Sequence, residues 1–509
     1  MNVVGRISYV LRLSSNVAIF ITALAQGHSA LADSPVADAA EQNDITTLKA
    51  MARQQADLDA PQHDGTTALH WAVYHDNEQA VQLLLEAGAV STKSNRYKVT
   101  PLSLACTNGN PHIVKALLES GADADAELEG GETTLMTAAR TGNLRCVELL
   151  LQKSAKVNDK DWKGQTALMW AAAEGHADVV RALLQAGANE DDSLKSGFTA
   201  LFFAARHGRI DAAMKLIEAG VDVNSVMKPV KPNGKSARSN TSALMLAVEN
   251  GHFELASALL DAGADPNDQR SGFTVLHALT WVRKPNRGDG PDGEPPPQGS
   301  GRMTSLQFVR KLIASGADID TRLKRGKSGR GRLNHTGATA FLFAADTADL
   351  PLMKLLLELG ADPTIPNADG ATALMAAAGI GTMAPGEEAG TEEEAIAAVE
   401  FLLEHDFDIN VVDKNGESTV HGAAYASWPT MVQVLADNGA DIKVWHRKNK
   451  YGWTPLRIAQ GHRPGNFKPA AATIVAVENV MLANGVKPTE AEPFQGGDEY
   501  RKKPAARKQ

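Results

Sequence analysis

A threonine, or a serine in its place, falls at positions 67, 100, 133, 166, 199, 242, 274, 339, 372, 418 and 454, each inside a drifting G-x-T-x-L motif. The first four spacings are 33 residues each; the later ones are 43, 32, 65, 33, 46 and 36. Four identical spacings in succession define a period, and the longer ones read as that period plus an insertion. A period in this range constrains a chain more than any other property. It marks one supersecondary unit that is too small to bury its own apolar face and is completed only by its neighbours.

One unit shows how. Residues 164–189 read GQTALMWAAAEGHADVVRALLQAGAN: an apolar segment rich in small residues, a short turn, a second apolar stripe, then a glycine. The threonine opens the first helix, where its hydroxyl can satisfy an orphan backbone N–H. Pro101 and Pro455 suit the first helical position, which has no N–H partner to lose. Small pairs such as Ala171-Ala172 and Ala204-Ala205 let adjacent helices approach closely. Gly187, Gly220 and Gly263 end second helices in the left-handed region. About twenty residues after the threonine, LLEAGA (84–89), LLESGA (117–122), LLQAGA (183–188), LLDAGA (259–264) and LLELGA (356–361) repeat in turn.

Period and motif together resemble the ankyrin repeat, and TPLSLACTNGNPHIVKALLESGAD (100–123) is close to its consensus. The resemblance covers roughly residues 34–489. It implies an all-α repeat solenoid: stacked helix-turn-helix units joined by β-hairpin-like connecting loops. Residues 33–60 lack the motif but carry two short helical patterns and read as amino-terminal capping helices. The array of about eleven units then runs over 61–489, and the polar basic tail 490–509 reads as disordered.

The first 32 residues read differently. Arg6 and Arg12 precede the apolar run VAIFITALA (17–25), and Ala30-Leu31-Ala32 supplies a small-residue cleavage site, the pattern of a secretory signal peptide. The expected destination is the periplasm or the exterior, without membrane insertion after cleavage. The formal net charge of −9 becomes more negative once that segment is removed, and an acidic exported chain is a poor candidate for nucleic acid. Cys106 and Cys146 fall at apolar positions of neighbouring units and read as small buried residues rather than a disulfide.

Four insertions give the array its individuality. Residues 228–240 carry four positive charges and 322–335 carry six, neither with an acid, and both fall in the hairpins between units. Residues 282–303, rich in Pro and Gly, and the acidic 379–394 fall between the paired helices of one unit. The family resemblance puts hairpin tips and first helices on a concave face, with contact positions just before the threonine and just after the small pair. Carried onto this chain, these are Tyr74, His75, Arg96, Tyr97, Trp162, Phe198, Arg206, His207, Arg270, Phe273, Trp281, Tyr425, Tyr451 and Trp453. Aromatic and Arg side chains are the types that most often anchor interfaces. The same geometry would let the basic loops attract an acidic partner. The cluster 444–453 has an alternative reading, in which Trp445 and Trp453 close the end of the stack. Trp71 and Trp170, inside first helices, read as core.

Catalytic spacing is absent from the sequence: there is no H-E-x-x-H, C-x-x-C, G-x-S-x-G or Walker loop. His70, His277 and His421 occupy one register of the repeat, where the resemblance implies a hydrogen bond within the stack; other units carry Met there. No cofactor or metal is expected. The sequence therefore points to a non-catalytic, monomeric, exported scaffold for an unidentified protein partner. Two alternatives are an enzyme with an insertion-built site, or its accessory subunit, and a host-directed effector.

Overall fold

A computed structural model describes residues 34–230, 239–287, 295–326, 331–463 and 468–488. The segment read as a signal peptide, 1–32, the tail 490–509 and parts of the two basic loops and of the Pro/Gly insertion lie outside the described residues. The chain divides into two compact units, residues 1–162 and 163–509.

The described residues of the first unit form four helix pairs: Pro35–Glu41 with Ile45–Arg53, Ala68–Tyr74 with Glu78–Glu86, Pro101–Asn108 with Pro111–Glu119, and Thr134–Thr141 with Leu144–Gln152. The described residues of the second form eight. They are Ala167–Glu174 with Ala177–Gln185, Ala200–His207 with Ile210–Glu218, Ala243–Glu249 with Phe253–Asp261, and Val275–Arg283 with Ser305–Ala314. Next come Ala340–Asp346 with Leu350–Glu358, Ala373–Ala377 with Glu392–Leu403, Thr419–Ala426 with Pro429–Asp437, and Pro455–Ala459 with Ala471–Ala483. The described residues show no extended strand, only isolated bridges between Glu127 and Thr133 and between Val226 and Ser242. The fold is an all-α repeat solenoid.

The motif threonines cap the first helices. The hydroxyls of Thr100, Thr133, Thr166, Thr339, Thr372 and Thr454 each accept from the amide three residues on. Asn77, Asn110, Asn143 and Asp349 do the same for second helices. Within each unit, first helices pack on the first helices of adjacent pairs. Ala138, Ala139, Ala171, Ala172, Ala204, Ala205, Ala423 and Ala424 are wholly buried there, so backbones meet without intervening bulk. Trp71 and Trp170 are core, and Cys106 and Cys146 are free and buried.

Two devices tie one repeat to the next. Hairpin tips are joined by backbone hydrogen bonds: Arg96 N to Asp64 O (2.8 Å), Trp162 N to Gly130 O (3.0 Å), Ala368 N to Thr336 O (2.8 Å) and Lys450 N to Asn415 O (2.7 Å). On first helices, the residue eight beyond the motif threonine bonds back to a carbonyl of the preceding repeat. His75 reaches Glu41 O (2.8 Å), Asn108 reaches Val73 O (2.7 Å), Thr141 reaches Cys106 O (3.1 Å) and His207 reaches Ala173 O (2.9 Å). Each bond is made to a carbonyl of the last turn of the preceding first helix, where intrahelical partners run out.

Candidate protein-binding surface

The fourteen candidate contact residues separate by register. The residue between the motif glycine and threonine is buried in most repeats, as at Thr66, Gln165, Ala338, Ala371 and Glu417, and half-buried at Phe273. Phe198 and Trp453 hold that same position and are 9% and 8% exposed, so neither presents a contact face. The hairpin delivers that residue inward, directly before the helix cap, and its ring packs on the stack. Phe198 lies edge-on to Phe202 at 6.3 Å, and the Arg206 guanidinium sits over the Phe198 ring at 5.8 Å.

Tyr425, seven residues beyond its motif serine, is also corrected: it is fully buried. Its hydroxyl donates to Glu417 Oε1 at 2.8 Å, and Asn449 Nδ2 donates to the same oxygen at 3.0 Å. Burial pushes the Glu417 carboxyl up to about 7 despite these donors. Tyr425, Trp453, Ala424, Ile458 and Ala459 form one apolar cluster with Tyr451 packed against it, and Trp445 is wholly buried. Segment 444–453 therefore contributes core at its tryptophans and exposes Arg447, Lys448 and Lys450.

His75 and His207 are half-buried and committed to the inter-repeat bonds described above; burial lowers His207 from its ordinary value. Tyr74 packs edge-on to Trp71 at 5.6 Å and is half-buried. Trp281 and Phe273 pack edge to face at 4.9 Å, also half-buried. Arg270 is exposed but fastened: Nε donates to Asp268 Oδ1 (2.8 Å) and Nη2 to Asn224 O (2.8 Å).

The exposed aromatics are at hairpin tips, one or two residues before the motif glycine or its equivalent. Trp162 is 77% exposed and Tyr97 is 40% exposed, with Arg96 exposed beside Tyr97. Backbone bonds of Arg96 and Trp162 to the preceding tip hold these side chains on a fixed edge. Arg96 Nη2 also donates to His63 O at 2.8 Å. All three belong to the first unit.

The histidines of the repeat register are structural. His70 Nδ1 accepts from Thr67 N (3.2 Å), which places the proton on Nε2, and Nε2 donates to Val99 O at 3.0 Å. His421 repeats this with Ser418 N and Arg447 O, and His277, its Nδ1 against the Thr274 hydroxyl, bonds Ala338 O through Nε2, both carbonyl bonds at 3.2 Å. Among the described residues no group of three or more His, Cys, Asp or Glu is placed to hold a metal ion.

A family model described as "Ankyrin repeats (3 copies)" matches residues 36–128, 135–227 and 389–468, and a second, "Ankyrin repeat", matches 239–271. The chain belongs to the ankyrin-repeat family. Ankyrin repeats indicate a protein–protein interaction scaffold, and modules of this family are generally non-enzymatic. Among curated relatives, the Ankyrin repeat, SAM and basic leucine zipper domain-containing protein 1 of Dasypus novemcinctus is 36% identical over 136 residues, 27% of this chain and 24% of that protein. Potassium channel AKT1 of Arabidopsis thaliana is 40% identical over 67 residues, 13% of this chain and 8% of that one. The chain thus spans a quarter or less of the length of these relatives. Of solved structures, the human ASB11 ankyrin repeat domain is 27% identical, covering 46% of this chain and 100% of its own, with a TM-score of 0.39. The ankyrin repeat domain of Bcl-3 is 28% identical, covering 44% and 97%, with a TM-score of 0.37. No helix among the described residues is long and apolar enough to cross a membrane.

Proposed function

We propose that this ankyrin protein is exported to the periplasm or the exterior and there holds a protein partner, without catalysing a reaction. The observation that carries the reading is the exposure of Trp162 and Tyr97, 77% and 40%, on hairpin tips. Large aromatics with low conformational entropy, next to an Arg, are the usual anchors of a protein interface. The first 32 residues support export, and the basic loops 228–240 and 322–335 favour an acidic partner on the concave side that ankyrin arrays use.

The test is capture from the exported fraction with the signal-less chain as bait, alongside the double variant Trp162→Ala, Tyr97→Ala. The expected result is one recurrent protein whose recovery drops at least tenfold in the variant, as loss of two anchors implies. Both side chains are exposed, so far-UV dichroism and thermal midpoint should be unchanged. Equal recovery by the two baits would remove the tips from the interface.

A further inference from the structure

The acidic insertion does not hang free. Its loop, 379–391, is laid back against four other segments and lines a pocket of about 270 Å³ within the second unit. The wall takes Asp346 from the end of helix Ala340–Asp346, Arg332 and His335 from the close of the second basic loop, Arg287 from the Pro/Gly insertion, Glu388 from the acidic loop and Trp428 from the next repeat. The loop is fastened on both sides. A Cβ on Gly381 would lie 2.1 Å from Leu333 N, so only glycine permits that approach. Thr391 and Glu394 form a capping box that starts helix Glu392–Leu403, and Glu394 is ion-paired to Lys284. Glu392 Oε1 accepts from Thr430 N (2.6 Å) and Met431 N (2.9 Å), pinning the insertion to the following pair.

The charges in this pocket are unevenly matched. Glu388 Oε1 accepts from Met383 N (2.8 Å) and Ala384 N (3.2 Å), and Arg332 lies in its field. Arg287 lies in the field of Glu394. Asp346 has, among the described residues, neither a hydrogen-bond donor nor a cationic partner, and the charge that faces it is Glu388. Once ionised, a carboxyl in that position has no compensating positive charge of its own. We propose that the pocket binds a small organic cation, an alkylammonium or guanidinium group about the size of a lysine or arginine side chain, with Asp346 as the anion that meets it.

The lining selects this class. A metal ion would need several convergent oxygen or nitrogen ligands, which the described residues do not group. An organic cation needs one carboxylate and an apolar or aromatic wall, which Trp428 supplies. The volume suits a molecule of a few heavy atoms. Without a ligand, burial and the neighbouring Glu388 push the Asp346 carboxyl up to about 8, so the free pocket carries that proton near neutrality. Binding a cation reverses the balance and expels it.

Titration calorimetry of the full chain with agmatine and with butylammonium tests this, in two buffers of different ionisation enthalpy. A second arm uses an acetylated, amidated lysine tripeptide, which separates a free amine from a side chain of a protein. The expected result is saturable binding of a free amine with proton release. Affinity should fall at least tenfold in Asp346→Asn and severalfold in Trp428→Leu. Asp346→Asn replaces an acid that is already largely neutral near pH 7, so it should fold as the parent does. Binding of the peptide as well would assign the pocket to a partner's lysine; binding of the free amine alone would assign it to a small molecule. The proposal is overturned by no saturable heat with any amine up to about 10 mM, by equal affinity in Asp346→Asn, or by tighter binding of acetate than of the amines.

Discussion

Three histidines at one register show how a single position is reused. His70, His277 and His421 are each held down to about 4 from 6.5 by burial, and each donates to a carbonyl of the next repeat. Between those values the unfolded chain binds more protons than the folded one, so these residues cost stability as pH falls from about 6.5 towards 4. The size is on the order of 2–3 kcal/mol per histidine. Met136, Met169, Met245 and Met375 occupy the same register elsewhere, which offers a built-in replacement. The triple variant His70→Met, His277→Met, His421→Met should lose markedly less stability than the parent on acidification, measured by urea midpoints along a pH series. Glu417 and Asp346, raised by burial, work in the opposite direction. They are common to both proteins and cancel in the difference. Parallel pH profiles would mean the histidines protonate without opening the stack.

At the scale of the element, helices and caps follow from local chemistry, whereas the hairpins depend on a neighbour. Gly197 and Gly263 separate the two effects. Both adopt the left-handed region, with φ of +85° and +92°. A Cβ on Gly263 meets nothing within 4 Å, but one on Gly197 would lie 2.7 Å from Lys228 N and 2.9 Å from Lys228 C, backbone atoms of the next connection. Gly263→Ala should therefore cost about 1 kcal/mol, the conformational part alone. Gly197→Ala should cost about 3 kcal/mol or more, because the tip must also move. Equal denaturation midpoints for the two variants would show that the tips yield freely. The same dependence explains the burial of Phe198, Tyr425 and Trp453. Their residue types suit an interface, but their registers are the ones the hairpin and the next helix bury. The sequence does not mark Asp346, for the complementary reason. It sits seven residues beyond its motif threonine, as Tyr74, Arg206, Trp281 and Tyr425 do, yet an acid is not a typical interface anchor.

For the whole molecule, stacking makes stability a sum of repeat and nearest-neighbour terms. Leu435, wholly buried in helix Pro429–Asp437, contacts the flanking repeats through that helix's packing on Glu392–Leu403 and Ala471–Ala483. Leu435→Ala should cost about 2–5 kcal/mol as a cavity. Hydrogen exchange should rise in those three helices and stay unchanged in Ala200–His207 and Ile210–Glu218. A uniform loss of protection across the second unit would show that it unfolds as one cooperative block.

The sequence alone determined the family, the repeat register, the threonine caps and the burial of Trp71, Trp170 and the two cysteines, because each depends on a periodicity or a cap completed within a few residues. The tertiary structure alone decided which side chains at those registers face outward, and that the acidic insertion folds back to line a pocket with Asp346. Both outcomes rest on contacts made across repeats. A backbone carbonyl some 34 residues away, or a loop approaching within the radius of a missing Cβ, leaves no mark on the pattern of one repeat.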